Sequence, residues 1–187
     1  MLNFLIIFFL IITISYSNII NKEYSTKENN SVVFEKKDTI SIIGVGDIML
    51  GTNYLSSKYL PPNDGKYILS NVKDILNDAD ITFGNLEGVL LTGDAPAKKC
   101  QNPEHCYAFK SPDHYINYIK DAGFDVLSIA NNHISDFGEI GKKNTTKLLR
   151  ENSIYFSGLN DYKYTIFEKN NIKYGFCAFA ASSGTLC

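Results

Sequence analysis

The chain has 187 residues, 44% of them hydrophobic and 20% charged, enough for about one globular domain beyond a leader and too apolar for a disordered tail. Its formal charge of −2 excludes the basic excess by which proteins release counterions from nucleic-acid phosphates, so no nucleic-acid partner is expected. Four cysteines are too few for a disulfide-built scaffold.

Residues 1–20 carry no charge, and Phe4 to Ile12 is an unbroken apolar run. That length suits a signal-peptide core and is short for a membrane span. Cleavage after Ser17 or retention as an uncleaved anchor both fit, and either exports the chain to the periplasm or cell surface. Residues 21–38 are polar and mixed in charge, as in a tether.

Thr39 to Val45 is rich in β-branched residues and predicts a buried strand ending at Gly46, with Asp47 to Gly51 as the following loop. From Lys66 to Asn77 the residues Ile68, Leu69, Val72, Ile75 and Leu76 recur at helical spacing. Asp80 to Phe83 predicts a second strand, and Gly84-Asn85-Leu86-Glu87-Gly88 the loop after it. Thr92 to Ser111 is irregular and holds Cys100 and Cys106, which could pair in an oxidising compartment. A zinc site using His105 is a poorer reading, because no second cysteine pair accompanies it. A helix is expected from Pro112 to Ala122, capped by Ser111 and ended by Gly123. Asp125 to Ile129 predicts a third strand. Ser135 or Asp136 is placed to cap the next helix, which runs to about Asn152. Ile154 to Phe156 predicts a fourth strand. Tyr162–Glu168 and Ile172–Phe179 predict a hairpin turning at Lys169-Asn170-Asn171, with Cys177 packing as a small hydrophobe.

Alternating strands and helices predict a largely parallel α/β sheet with an antiparallel hairpin added at the end. Ligands of such sheets bind beyond the carboxyl ends of the strands. Three polar loops lie at those ends and offer Asp47, then Asn85 and Glu87, then Asn132, His133 and Asp136. Carboxylates, amide oxygens and imidazole suit hard and borderline metals, and two metals close together turn water into a nucleophile. Each residue also has a plainer reading. Asp47 can cap a turn, Asn85 can take a left-handed turn position, and Glu87 can be a surface carboxylate. Asn131 and Asn132 can bond the loop backbone, His133 can be structural, and Asp136 can be an N-cap.

Gly46-Asp47-Ile48-Met49-Leu50-Gly51, Gly84-Asn85-Leu86-Glu87-Gly88 and Ala130-Asn131-Asn132-His133-Ile134-Ser135-Asp136-Phe137-Gly138, in this order, resemble the CapA family of bacterial poly-γ-glutamate capsule synthesis proteins. The resemblance covers roughly Thr39 to Ala180. It implies a metallophosphoesterase-like two-sheet sandwich flanked by helices, of which residues 39–187 would be the incomplete amino-terminal part. It implies a divalent metal ion (Mn, Fe, Zn or Mg) with Asp47 and Asn132 as ligands and Asn85 or Glu87 in the bridging or second ligand place. By the same resemblance His133 would contact the substrate or protonate a leaving group, with Asp136 beside it in a catalytic role. Met49 stands where the superfamily has a metal-binding histidine, Asn85 stands where it has a bridging aspartate, and no histidine follows His133. The implied function is extracytoplasmic, in capsule or cell-surface polymer biosynthesis, with an anionic polymer or its precursor and membrane-bound synthesis proteins as partners. The site would be a metal-dependent hydrolase, or alternatively the chain a non-catalytic subunit that binds or exports the polymer.

Overall fold

The computed structural model describes residues 39–100, 102, 106–182 and 185. The expected leader at 1–20, the tether at 21–38, His105 and Cys187 lie outside the described residues. Among the described residues no helix is long and apolar enough to cross a membrane. In chain order the elements are β1 (Ile42–Ile48), α1 (Lys73–Asp78), β2 (Ile81–Leu86), β3 (Val89–Leu90), β4 (Lys110–Ser111), α2 (Tyr115–Asp121), β5 (Val126–Ser128), α3 (Gly138–Glu151), β6 (Tyr155–Ser157), β7 (Tyr164–Lys169) and β8 (Ile172–Cys177).

Four strands form a parallel sheet in the order β1-β2-β5-β6. Successive side chains of a strand point to opposite faces, and this sorts the core into two layers. On one face Ile48, Leu86, Leu127 and Phe156 pack with Leu76, Ile116, Ile119 and Leu149 from the three helices. On the other face Ile81, Phe83 and Val126 meet Phe167, Tyr174 and Phe176 of the antiparallel β7–β8 hairpin. The molecule is therefore a parallel sheet faced by a second, two-stranded sheet, with helices on its outer side, as the sandwich expectation requires. The hairpin turns through Asn170 and Asn171 at φ 54° and 62°, the two left-handed positions of a two-residue type I′ loop. A short parallel pair, β3 with β4, sits against α3, where Thr145 Oγ1 accepts from Leu90 N at 2.9 Å.

Several local expectations shift. Residues 66–72 form turns, and α1 begins only at Lys73. Asn63, Asp64 and Gly65 all take positive φ (53°, 54° and 74°), which redirects the chain. Three-residue bonds such as Ile68 N to Gly65 O and Val72 N to Leu69 O follow in place of a helix. Ser111 does not cap α2, because its hydroxyl donates to Gly51 O at 2.7 Å. Thr92 and Asp113 exchange two side chain–backbone bonds at that corner instead. Cys177 is exposed rather than packed, since it lies on the outer face of β8. Cys100 and Cys106 form a disulfide.

Two measurements check this layering. Leu127→Ala, at 0% exposure, should cost about 2–5 kcal/mol in urea unfolding, whereas Ile140→Ala, at 53%, should stay within about 0.5 kcal/mol. Burial, reinforced by the Asp64 carboxylate 3.3 Å away, pushes the Tyr115 phenol up to about 12. Folding favours its neutral form, so that stabilisation is complete below the ordinary tyrosine value of 10.0 and is lost as pH rises through about 12. Ultraviolet titration of the folded protein should show one tyrosine still protonated at about pH 11, and Asp64→Asn should bring it down.

Candidate functional site

The register of the parallel sheet places one polar residue per strand in a row at its carboxyl end. Asp47 lies opposite Asn85, Asn85 opposite Ser128, and Ser128 opposite Ser157. Asp47 reaches that row through a bulge. Between the Gly44–Phe83 and Asp47–Asn85 pairs, β1 spends three steps where β2 spends two. One extra residue reverses the facing of everything after it. Ile43 and Val45 face the helices, and so does Ile48, which leaves Asp47 turned to the hairpin side with Asn85. The strand therefore runs on through Asp47, and β2 through Asn85 and Leu86, rather than ending before these residues.

Asn85 joins the two carboxylates. Its Nδ2 donates to Asp47 Oδ1 and to Glu87 Oε2, each at 2.8 Å. Its Oδ1 accepts from Asn131 Nδ2 at 3.1 Å. The direction of both amides follows from their partners. Asn131 Nδ2 also donates to Leu86 O at 2.8 Å, and Asn131 Oδ1 accepts from His133 N at 3.0 Å, an Asx turn that shapes the loop after β5. Turning Asn85 over would set nitrogen against nitrogen at Asn131 and oxygen against both carboxylates. In this arrangement Asn85 holds the carboxylates through its nitrogen.

His133 closes the other side. Its Nδ1 lies 2.7 Å from Asp136 Oδ2, and an ionised carboxylate only accepts, so Nδ1 carries the proton. In the neutral ring with its proton on Nδ1, Nε2 is the bare nitrogen, and it lies 3.8 Å from Glu87 Oε1. That is too long for a hydrogen bond, so two acceptors face each other across the gap. The His133 and Glu87 side chains are only 12% and 13% exposed.

Asp136 has no exposure and is not the cap of α3, whose first position has no side-chain cap. Its Oδ2 also accepts from Phe109 N at 2.8 Å, and Lys98 Nζ stands 2.6 Å from Oδ1, close as an ion pair but not aligned as a hydrogen bond. The Phe109 ring packs 4.2 Å from the His133 ring, and Gly88 has no room for a Cβ, which would meet Phe109 O at 2.9 Å.

Of the six residues singled out in the sequence, the structure brings five together: Asp47, Asn85, Glu87, His133 and Asp136. Asn132 is exposed and stands outside this hydrogen-bonded chain. Four participants carried no motif. Ser128 and Ser157 complete the polar row, and the buried Ser157 hydroxyl has no hydrogen-bond partner among the described residues. A polar residue closing each apolar strand was the available signal. Lys98 and Phe109 had none.

Among the described residues no group of three or more His, Cys, Asp or Glu is gathered to hold a metal ion. The donor set still suits a cation in kind. Asp47 and Glu87 share one amide, and among the described residues no lysine or arginine forms an ion pair with either. A cation would reconcile the bare Nε2 with the facing Glu87 oxygen.

The bacterial capsule synthesis protein family PGA_cap matches residues 41–186. The chain is 28% identical over 144 residues to the capsule biosynthesis protein CapA of Bacillus anthracis, covering 75% of this chain and 34% of that protein. It is 32% identical over 108 residues to the PGA biosynthesis protein CapA of Bacillus subtilis (strain 168), covering 58% and 27%. An uncharacterized protein of Sinorhizobium fredii is 26% identical over 129 residues, covering 66% and 25%. The chain thus spans about a third or less of the length of the curated relatives it matches.

Asp136→Asn tests the geometry. It keeps the shape but cannot accept from every donor now converging on the carboxylate. Urea unfolding should show a loss of about 1–3 kcal/mol, and the Nδ1–H tautomer of His133 should no longer dominate in nitrogen-15 spectra.

Proposed function

The chain belongs to the bacterial capsule synthesis protein family PGA_cap, within the metallophosphoesterase-like superfamily, and from that premise we propose that its site binds a divalent cation in the exported biosynthesis of an anionic surface polymer. The observation that carries this reading is the pair of facing acceptors, His133 Nε2 and Glu87 Oε1, beside the Asp47 carboxylate. Asp47 and Glu87 would repel an anionic polymer or its precursor, and a bound divalent cation offsets their two charges and offers the polymer a positive centre.

In this proposal Asp47, Glu87 and His133 Nε2 hold the ion, with the exposed Asn132 as a further ligand. Asn85 fixes the spacing of the two carboxylates. Asp136 keeps the proton on Nδ1 and so leaves Nε2 free, acting as a positioning residue because it has no exposure of its own. With Nδ1 on Asp136 and Nε2 on the ion, His133 acts on the substrate through the ion it holds. When bound, a divalent ion supplies Lewis acidity and a more acidic water. The ion is Mn, Fe, Zn or Mg, since the set mixes carboxylate oxygen with imidazole. Export is supported by the Cys100–Cys106 disulfide, which persists in oxidising compartments, and by the apolar leader. Membrane-bound polymer synthesis proteins are the proposed partners.

One observation favours a non-catalytic, polymer-binding role. Asn85 presents nitrogen to the carboxylates, and a neutral amide so turned cannot bridge two cations.

Calorimetric titration of the full chain with Mn²⁺ should show one saturable site. Glu87→Gln and His133→Ala should each weaken it by about tenfold or more. Unchanged affinity in both variants would defeat the cation reading. Turnover of a simple phosphodiester that persists in His133→Ala would place catalysis elsewhere and favour the binding role.

A further inference from the structure

The connection from β3 to β4 grips the site at two points. Lys98 donates its backbone N–H to Asp136 O at 2.7 Å and sets its ammonium 2.6 Å from Asp136 Oδ1. Phe109 donates its backbone N–H to Asp136 Oδ2 at 2.8 Å and lays its ring against His133. The disulfide between Cys100 and Cys106 lies between these two grips, and Cys106 Sγ rests 4.0 Å from Lys98 O. We propose that this disulfide is a redox-controlled clasp: closed, it holds Lys98 and Phe109 on Asp136 and so fixes the His133 imidazole for the cation, a role that rests on the cation reading of the site.

The physical case is one of entropy. Lys98 keeps 31% of its side chain accessible while Asp136 has none, so water can replace the ammonium but not reach the carboxylate freely, and the pair depends on the loop staying in place. The described residues between the grips belong to no helix or strand, so ordering both ends at once restricts much chain freedom. A crosslink inside the stretch removes part of that freedom beforehand. Asp136 then meets both backbone donors together, and His133 inherits a fixed Nδ1 partner. A dithiol opens the clasp in a balanced exchange: the S–S bond breaks, Cys100 and Cys106 gain two electrons and two protons as thiols, and the dithiol closes to its own disulfide. In a reducing compartment the site is slack, and it tightens once the chain reaches an oxidising one.

The test uses the full chain with Cys177→Ser and Cys187→Ser, so that the one remaining cysteine pair responds. Oxidised and dithiol-reduced forms are compared by circular dichroism, by the hydrogen-bonded Nδ1 proton of His133 in NMR, and by Mn²⁺ titration. The clasp predicts a retained fold, a lost or broadened His133 proton, and an affinity about tenfold weaker on reduction, all restored by reoxidation. Lys98→Met in the oxidised protein should move the same proton signal in the same direction. A His133 signal identical in both redox states overturns the proposal. Global unfolding on reduction also overturns it, since the disulfide would then be a general staple. If Mn²⁺ does not bind the oxidised chain while the His133 signal still follows redox state, the clasp stands and the cation reading fails.

Discussion

A carboxylate with no solvent exposure imposes the strictest condition in this molecule. A buried charge is costly unless charged or hydrogen-bonding partners surround it, and Asp136 finds them in three separate stretches of chain. His133 comes from the turn after β5, Phe109 from the approach to β4, and Lys98 from the connection that carries the disulfide. Satisfying one side chain therefore draws two connections, β3 to β4 and β5 to α3, to one place. A shift of any of these partners leaves the buried carboxylate short of one.

The register of the sheet supplies a second condition, largely independent of the first. The extra residue in β1 turns Asp47 toward Asn85, and the Asn85 amide gathers Asp47 and Glu87 within hydrogen-bond reach. The chain of contacts then runs from Asp47 through Asn85 and Asn131 to the backbone of His133. The side chain of His133 continues it to Asp136. Sheet and loops thus meet at one imidazole, with its Nε2 left facing a carboxylate. This acidic end would itself oppose an anionic polymer, so the cation reading and the polymer reading support one another physically.

Much of this was legible in residue order. Three apolar strands ending in polar residues, the helix running to about Asn152, and Asn170-Asn171 as a hairpin turn all depend on near neighbours, whose physics is local. The same local reasoning misjudged Ser111 and Asp136. Both are good caps by residue type, yet Gly51 O claims one and the His133–Phe109–Lys98 group claims the other. It also placed a helix over residues 66–72, where three consecutive left-handed residues upstream turn the chain away. Cys177 sits in an apolar run but on the strand face that the hairpin turns outward.

Residue order alone determined a largely parallel α/β sheet with a terminal hairpin, and the identity of the chemistry-bearing loops, because periodicity and turn preference act over a few residues. Only the tertiary structure decided which of those residues meet. It turned the Asn85 nitrogen toward two carboxylates, put the His133 proton on Nδ1, and buried Asp136 as the anchor while leaving Asn132 exposed. Apart from the His133–Asp136 contact within one loop, those outcomes depend on strand register and on partners far along the chain, of which loop spacing carries no record.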